Sequence, residues 1–85
     1  TSYLDTYAWI MFKKKEYKTA LEYIEKALKI EGEKATSVLY EHYGDILFMN
    51  GEPEAALAQW EQALKLQPDN EMLKKKVKYK TYFFK

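Results

Sequence analysis

An internal repeat of 36 residues is the feature that most restricts the fold of this sequence. Moving the first third of the chain forward by 36 positions superimposes ten identical residues. They are Tyr7, Ile10, Phe12, Glu16, Ala20, Leu21, Glu25, Ala27, Leu28 and Lys29. Apolar residues in each copy recur every three or four positions, which is the spacing of an amphipathic helix. The sequence therefore predicts two tandem hairpins, each made of two helices.

The second copy, residues 40–68, shows why the two helices of a hairpin should pack closely. It has one small residue on each helix, Gly44 and Ala56. Large side chains flank them, at Tyr40, Tyr43, Leu47 and Trp60. Small residues let two helix backbones approach, and large neighbours fill the space on either side. The segment Asn50-Gly51-Glu52-Pro53 has the composition of a helix end followed by a helix start.

Five helices are predicted, over about residues 2–14, 16–30, 37–50, 53–67 and 71–84. Thr36 or Ser37 can cap the third helix, and Asp69 or Asn70 can cap the fifth. The first helix is apolar on more than one side, so more than one side should be covered. The fifth helix has only a narrow apolar stripe surrounded by lysines. This pattern predicts a capping helix whose lysines are mostly solvated.

The net charge of +1 conceals a division between an acidic body and a basic end. Residues 71–85 contain six of the fourteen lysines and one acid, Glu71, which gives this segment +5. Residues 1–70 contain eight lysines and twelve acids, which gives −4. The chain has no arginine, the residue favoured for reading bases and phosphates. We therefore expect no sequence-specific binding of nucleic acid. Charge-driven contact of the last helix with anionic surfaces is an alternative function.

Catalysis and metal binding have little support in the sequence. Glu41, His42 and Asp45 form the only grouping that suggests a metal site or acid–base chemistry. The chain has one histidine and no cysteine, so a complete ligand set is missing, and a solvated polar face is the simpler interpretation. No nucleophile has a base at a suitable spacing. The chain is predicted not to be an enzyme, to need no cofactor, and to have no transmembrane segment.

The second copy resembles the tetratricopeptide repeat (TPR). The motifs W-x2-L-G-x2-Y and A-x3-F and the closing proline correspond to Tyr40, Tyr43, Gly44, Leu47, Ala56, Trp60 and Pro68. The first copy departs from this pattern, with Ala8 at the place of Gly44 and Gly32 at the place of Pro68. The resemblance implies a single all-α domain, a right-handed α-solenoid. Its repeats would cover about residues 2–34 and 37–70, and a capping helix about 71–84.

The resemblance also implies a function. In such arrays the first helix of each unit lines a concave groove that binds peptides or protein segments. The chain is therefore expected to be a non-catalytic protein–protein interaction scaffold. The residues expected to line the groove are Asp5, Trp9, Phe12, Glu41, Asp45, Phe48, Met49, Met72, Lys75, Tyr79 and Tyr82. Their acidic and aromatic side chains favour a segment that carries basic and apolar residues.

A purely structural function is the other alternative, in which the chain is the C-terminal end of a longer solenoid and its own neighbours fill the groove. The apolar first helix predicts further repeats upstream of Thr1, or pairing of the isolated fragment with a second copy. The chain also looks like the last units of long bacterial TPR proteins, some of them envelope lipoproteins. An envelope location is therefore one expectation, and a cytoplasmic location is another.

Overall fold

Helices are the only regular elements in the part of the chain that the computed structural model describes, residues 2–32 and 36–79. They are α1 (Ser2–Lys13), α2 (Tyr17–Glu31), α3 (Ser37–Met49), α4 (Pro53–Leu66) and α5 (Glu71–Tyr79). The predicted all-α class and the order of five helices are confirmed. The predicted continuation of the fifth helix beyond Tyr79 lies outside the described residues.

The two hairpins use the same turn at equivalent positions. Lys15 and Gly51, which are 36 residues apart, both have a positive φ, of 65° and 81°. In each turn the next residue donates its backbone N–H back into the preceding helix, from Glu16 to Met11 at 2.8 Å and from Glu52 to Leu47 at 3.0 Å. This is the geometry of a Schellman helix end, which glycine adopts without strain. The lysine at this position in the first copy takes the same conformation without that advantage.

Side-chain caps set the starts of α3 and α5. Thr36 Oγ1 accepts a hydrogen bond from the backbone N–H of Leu39 at 3.3 Å. Asn70 Oδ1 accepts one from the backbone N–H of Leu73 at 3.1 Å. Each cap satisfies an N–H group that has no partner inside its own helix. Of the alternatives predicted at these two positions, the structure selects Thr36 and Asn70.

The close crossing of α3 and α4 depends on Gly44. A Cβ atom added there would lie 2.5 Å from Trp60 Cδ1 and Nε1, and 3.1 Å from the backbone oxygen of Ala56. A contact of 2.5 Å is far inside van der Waals separation, so the indole must move before any larger residue can fit. The predicted role of the small residue at this crossing is confirmed.

Successive helices pack on one another in chain order, and two groups of buried side chains form the core. The first core cluster comprises Leu4, Ala8, Phe12, Ala20, Ile24, Ala27, Leu39 and Ile46, from α1, α2 and α3. The second core cluster comprises Leu47, Ala56, Trp60, Ala63 and Leu73, from α3, α4 and α5. Leu21, Tyr40 and Tyr43 pack against both clusters. The core is therefore continuous from the first hairpin to the capping helix.

One side of α1 is only partly covered. On this side 50% of the surface of Tyr7 is exposed, and Ile10 is 41% exposed. The Tyr7 ring does contact the Tyr23 ring, with 5.9 Å between centroids. Among the described helices α1 packs mainly against α2, and more lightly against α3, so the side that carries Ile10 faces solvent.

Candidate functional site

The candidate site is the face on which α1, α3 and α5 lie side by side, which we call the inner face. Its first contact between helices joins α1 to α3. His42 Nδ1 lies 3.0 Å from Asp5 Oδ1. The imidazole of His42 also stacks on the indole of Trp9, with 4.0 Å between ring centroids and 12° between planes. We call Asp5, Trp9 and His42 the first clasp.

The second contact joins α3 to α5. Lys76 Nζ donates hydrogen bonds to Glu41 Oε2 at 2.7 Å and to Asp45 Oδ1 at 2.9 Å. The same oxygen of Asp45 accepts a hydrogen bond from Trp60 Nε1 at 2.9 Å. Asp45 is 2% exposed and Lys76 is 3% exposed. We call Glu41, Asp45 and Lys76 the second clasp. Trp60 on α4 stabilises it through its hydrogen bond to Asp45.

The two clasps occupy equivalent positions of the repeat. Glu41 and Asp45 follow Asp5 and Trp9 by 36 residues, and Lys76 follows His42 by 34. In both cases one side chain of a following helix reaches two side chains that lie one turn apart on the preceding helix. The two clasps therefore connect α1 to α3 and α3 to α5 through the same arrangement of side chains. They also bind the carboxylates of the inner face to partners within the chain.

Burial dominates the electrostatics of the second clasp. Loss of hydration raises the pKa of Asp45 from the ordinary 3.8 to about 6. The ammonium group of Lys76 and the hydrogen bonds from Lys76 and Trp60 act in the opposite direction, but they do not cancel the effect of burial. The ionised form of Asp45 is thus destabilised by burial, and the hydrogen bonds from Lys76 and Trp60 offset part of that cost.

Comparison with known proteins identifies the family. A sequence profile described as tetratricopeptide repeat matches residues 38–70, and a second profile of the same description matches residues 2–34. This chain is a TPR protein. TPR units commonly mediate protein–protein interactions, and the family is in general non-catalytic. The two matched segments contain α1 with α2 and α3 with α4.

One curated relative is the TPR repeat-containing protein MJ1428 of Methanocaldococcus jannaschii. It is 42% identical to this chain over 55 residues, which cover 65% of this chain and 9% of the relative. The chain thus spans only a small part of the length of that protein. No solved structure matches the chain. This relative is archaeal and says nothing of where the chain is located. The expectation of a bacterial envelope protein therefore stays a prediction.

Two of the residues expected to line the TPR groove do not offer a surface to a partner. Phe12 is 6% exposed and belongs to the first core cluster. Its ring stacks on Trp9 at 4.7 Å and meets Tyr17 edge-on at 5.6 Å. Asp45 is held beneath Lys76, as described above. The expectation that Phe12 and Asp45 contact a partner is corrected, because helix packing buries both.

The other expected groove residues lie closer to solvent. Those that remain half-buried are Asp5, Trp9, Glu41, Phe48, Met49 and Met72. Lys75 is exposed and Tyr79 is 58% exposed. Tyr82 lies outside the described residues. Asp5 and Glu41 are engaged in the clasps, so the accessible part of the inner face is mainly aromatic, thioether and lysine.

Sequence reasoning missed three residues of this face. His42 was interpreted as part of a solvated polar face, and the prediction that the lysines of α5 are mostly solvated is wrong for Lys76. Val38 was not considered, although it is 47% exposed and precedes Glu41 by one helical turn. The available signal was the spacing of the repeat, because Lys76 follows His42 by 34 residues and occupies the same repeat position.

The grouping of Glu41, His42 and Asp45 does not assemble as a site for a metal. His42 turns toward Asp5 on α1, whereas Glu41 and Asp45 turn toward Lys76 on α5. Within residues 2–32 and 36–79 no three histidine, aspartate or glutamate side chains come close enough to hold a metal ion. In the same part of the chain, none of the helices combines the length and apolar character needed to cross a membrane.

The raised pKa of Asp45 predicts a specific pH dependence of stability. Because the pKa is higher in the folded state, the folded chain binds the proton more tightly than the unfolded chain does. The stabilising effect of that proton is complete below pH 3.8 and is lost as the pH rises through about 6. Asp45→Asn removes the titration. The stability of the parent relative to this variant should therefore fall by roughly 2 kcal/mol between pH 4 and pH 7.

Urea unfolding at several pH values measures this difference. Asp69→Asn is the matched control, because the Asp69 side chain is exposed in the folded chain. The same measurements on Asp69→Asn show the effect of replacing an exposed carboxylate. A constant difference between the parent and Asp45→Asn would contradict the prediction.

Proposed function

We propose that this chain binds an extended segment of a partner protein along its inner face, as a non-catalytic interaction module. The observation that supports the proposal is the set of accessible apolar side chains that α1, α3 and α5 carry. It comprises Trp9, Val38, Phe48, Met72 and Tyr79, all of them half-buried or exposed. Rigid aromatic side chains of this kind supply most of the binding energy in many interfaces.

The anchor that we assign to α1 is already held in place. The Trp9 indole stacks with the rings of Phe12 and His42, at centroid distances of 4.7 and 4.0 Å. Lys13 Nζ lies 5.2 Å from the centre of its ring. A side chain ordered before binding loses little conformational entropy when a partner arrives. The exposed part of Trp9 can therefore contact a partner at little further cost in entropy.

The clasps change the charge preference expected from the sequence. Asp5, Glu41 and Asp45 were expected to orient a basic segment, but each is bonded to His42 or Lys76. A basic partner residue that paired with Asp45 would have to displace Lys76, which the protein buries almost completely. The proposal therefore rests on apolar contacts, and no attraction of a basic segment is part of it.

A peptide array tests the proposal with the parent chain and two variants. Trp9→Ala should weaken the best-binding peptides by about tenfold, as loss of an aromatic anchor does in other interfaces. Leu66→Ala is the matched control, since Leu66 is a 54% exposed apolar residue on α4, outside the inner face. It should leave binding unchanged. The proposal should be abandoned if no peptide binds, or if Trp9→Ala binds as well as the parent.

A structural role in a longer repeat array is the second candidate. The exposure of Ile10 on α1 favours it, because a neighbouring repeat could cover this side of the helix. In that case Ile10→Asp should disrupt association of the chain with adjoining repeats, and Trp9→Ala should leave the partners of the whole protein unchanged. The two variants therefore separate the two functions.

A further inference from the structure

The two hairpin turns lie side by side at one end of the molecule. Asn50 Nδ2 in the second turn donates a hydrogen bond to the backbone oxygen of Tyr17, at the start of α2, at 3.0 Å. We call residues 13–18 the lysine turn and residues 49–54 the acidic turn. They are 36 positions apart in the sequence, and Lys15 and Gly51 adopt a positive φ at the same place in each. The two turns therefore present equivalent positions on one surface of the chain.

The two turns carry opposite charge. The lysine turn has four lysines and one glutamate, a net +3, and the acidic turn has two glutamates and no basic residue, a net −2. The lysines are Lys13, Lys14, Lys15 and Lys18, and the glutamates of the acidic turn are Glu52 and Glu54. All six side chains are exposed. Within residues 2–32 and 36–79 none of the six takes part in an ion pair.

The turns also differ in shape at their equivalent central position. In the acidic turn a Cβ atom added at Gly51 would meet nothing within 4 Å. An open depression is lined there by Gly51, Glu52, Pro53, Glu54 and Ala55. In the lysine turn the same position carries the long side chain of Lys15, although a positive φ strains a lysine and not a glycine. A projection on one turn thus corresponds to a depression on the other.

We propose that a second copy of this chain binds at this end, so that Lys15 of each copy enters the acidic turn of the other and pairs with Glu52 and Glu54. The interface is two-fold: both copies use the same end, and each contact occurs twice. The turns suit this arrangement because they are adjacent, opposite in charge and complementary in shape. The net charge of +1 produces little overall repulsion between two copies. The inference does not depend on the proposed function.

The dimer should be weak. Two turns bury less surface than the roughly 1,600 Å² of a standard interface, and each exposed ion pair adds little. We therefore expect a dissociation constant on the order of 0.1–1 mM. Sedimentation equilibrium of the 85-residue chain at concentrations around this value should show an average mass that rises toward that of a dimer. Salt at about 1 M should remove the dimer, because it screens exposed charges.

Charge reversals test the assignment of the contact. Lys15→Glu and Glu52→Lys should each weaken the dimer by about tenfold or more, since each places like charges in both contacts. A mixture of the two variants should associate as well as the parent, because both contacts then join a carboxylate to an ammonium group. Lys29→Glu is the matched control. Lys29 is an exposed lysine in the last turn of α2, at the other end of that helix, so dimerisation should stay as in the parent.

Lys15→Gly separates loss of the contact from loss of folding. Glycine accepts a positive φ without strain, so this variant should keep or raise the melting temperature. It removes the side chain that enters the acidic turn, and it should weaken the dimer by about tenfold, the effect of losing two exposed ion pairs.

The outcomes are distinct. A parent chain that stays monomeric at about 2 mM overturns the inference, since a contact of the expected strength would be visible there. A dimer that Lys15→Glu leaves intact overturns it too, as does a mixture of Lys15→Glu and Glu52→Lys that does not associate. Self-association that Ile10→Asp removes and Lys15→Glu retains would place the contact on the exposed side of α1 instead. None of these results bears on the inner face, which the peptide array tests separately.

Discussion

Lys76→Ala is expected to destabilise the fold by about 3 kcal/mol or more at pH 7, the range for removing one partner of a buried ion pair. Lys76 is 3% exposed and donates to two carboxylates, at 2.7 and 2.9 Å. Without its ammonium group, the Asp45 carboxylate is left buried, and among the described residues Trp60 Nε1 is its remaining donor. Urea unfolding of the parent and the variant measures the loss.

Lys74→Ala is the matched control for this experiment. Its ammonium group is exposed and lies 3.6 Å from Glu71, so its removal should change stability by less than about 0.5 kcal/mol. Adding Asp45→Asn to Lys76→Ala should regain part of the lost stability, since it removes the buried charge that causes the loss. If the double variant is no more stable than Lys76→Ala, the explanation by an unpaired carboxylate is wrong.

Leu73→Asp is expected to unfold the chain. The side chain of Leu73 is 0% exposed and belongs to the second core cluster, where α5 packs against α4. The substitution loses roughly 1.5–3 kcal/mol of apolar burial. It also places a carboxylate among the buried apolar side chains of that cluster, which adds a penalty of several kcal/mol. The sum approaches the whole stability of a small domain.

Far-ultraviolet circular dichroism and thermal melting measure the result. Leu66→Asp introduces the same change at a leucine that is 54% exposed, and it should keep a parental spectrum and melting curve. A cooperative melt of Leu73→Asp near the parental temperature would mean that α5 is not an integral part of the fold.

The fold could be predicted from the sequence because its determinants are local and repeated. The 36-residue repeat fixes the number of hairpins, and Gly44 with Ala56 marks where two helices cross. Gly51 and Pro53 mark the end of one helix and the start of the next. Each of these signals acts through the conformational limits of its own residue, so it can be recognised without knowledge of the tertiary structure.

The site was predicted less well because burial of a polar side chain depends on partners far away in the sequence. Asp45 on α3 and Lys76 on α5 are 31 positions apart, and each alone is typical of an exposed helix face. Lys76 also lies in the run Lys74-Lys75-Lys76, where composition gives no reason to single out one residue. The repeat spacing, which places Lys76 34 residues after His42, singles out its position. The contacts that Lys76 makes there depend on the register of α5 against α3, which is a tertiary property.

The part played by α3 in the core has a consequence for cooperativity. Leu39 and Ile46 lie in the first core cluster, and Leu47 lies in the second, so α3 contributes buried residues to both. Repeat arrays unfold one unit at a time when the interface between units is weak compared with the units themselves. Here neither hairpin can lose its helices without exposing apolar surface that the other hairpin also uses. The two repeats are thus coupled into one folding unit, in which α3 is the last helix to open.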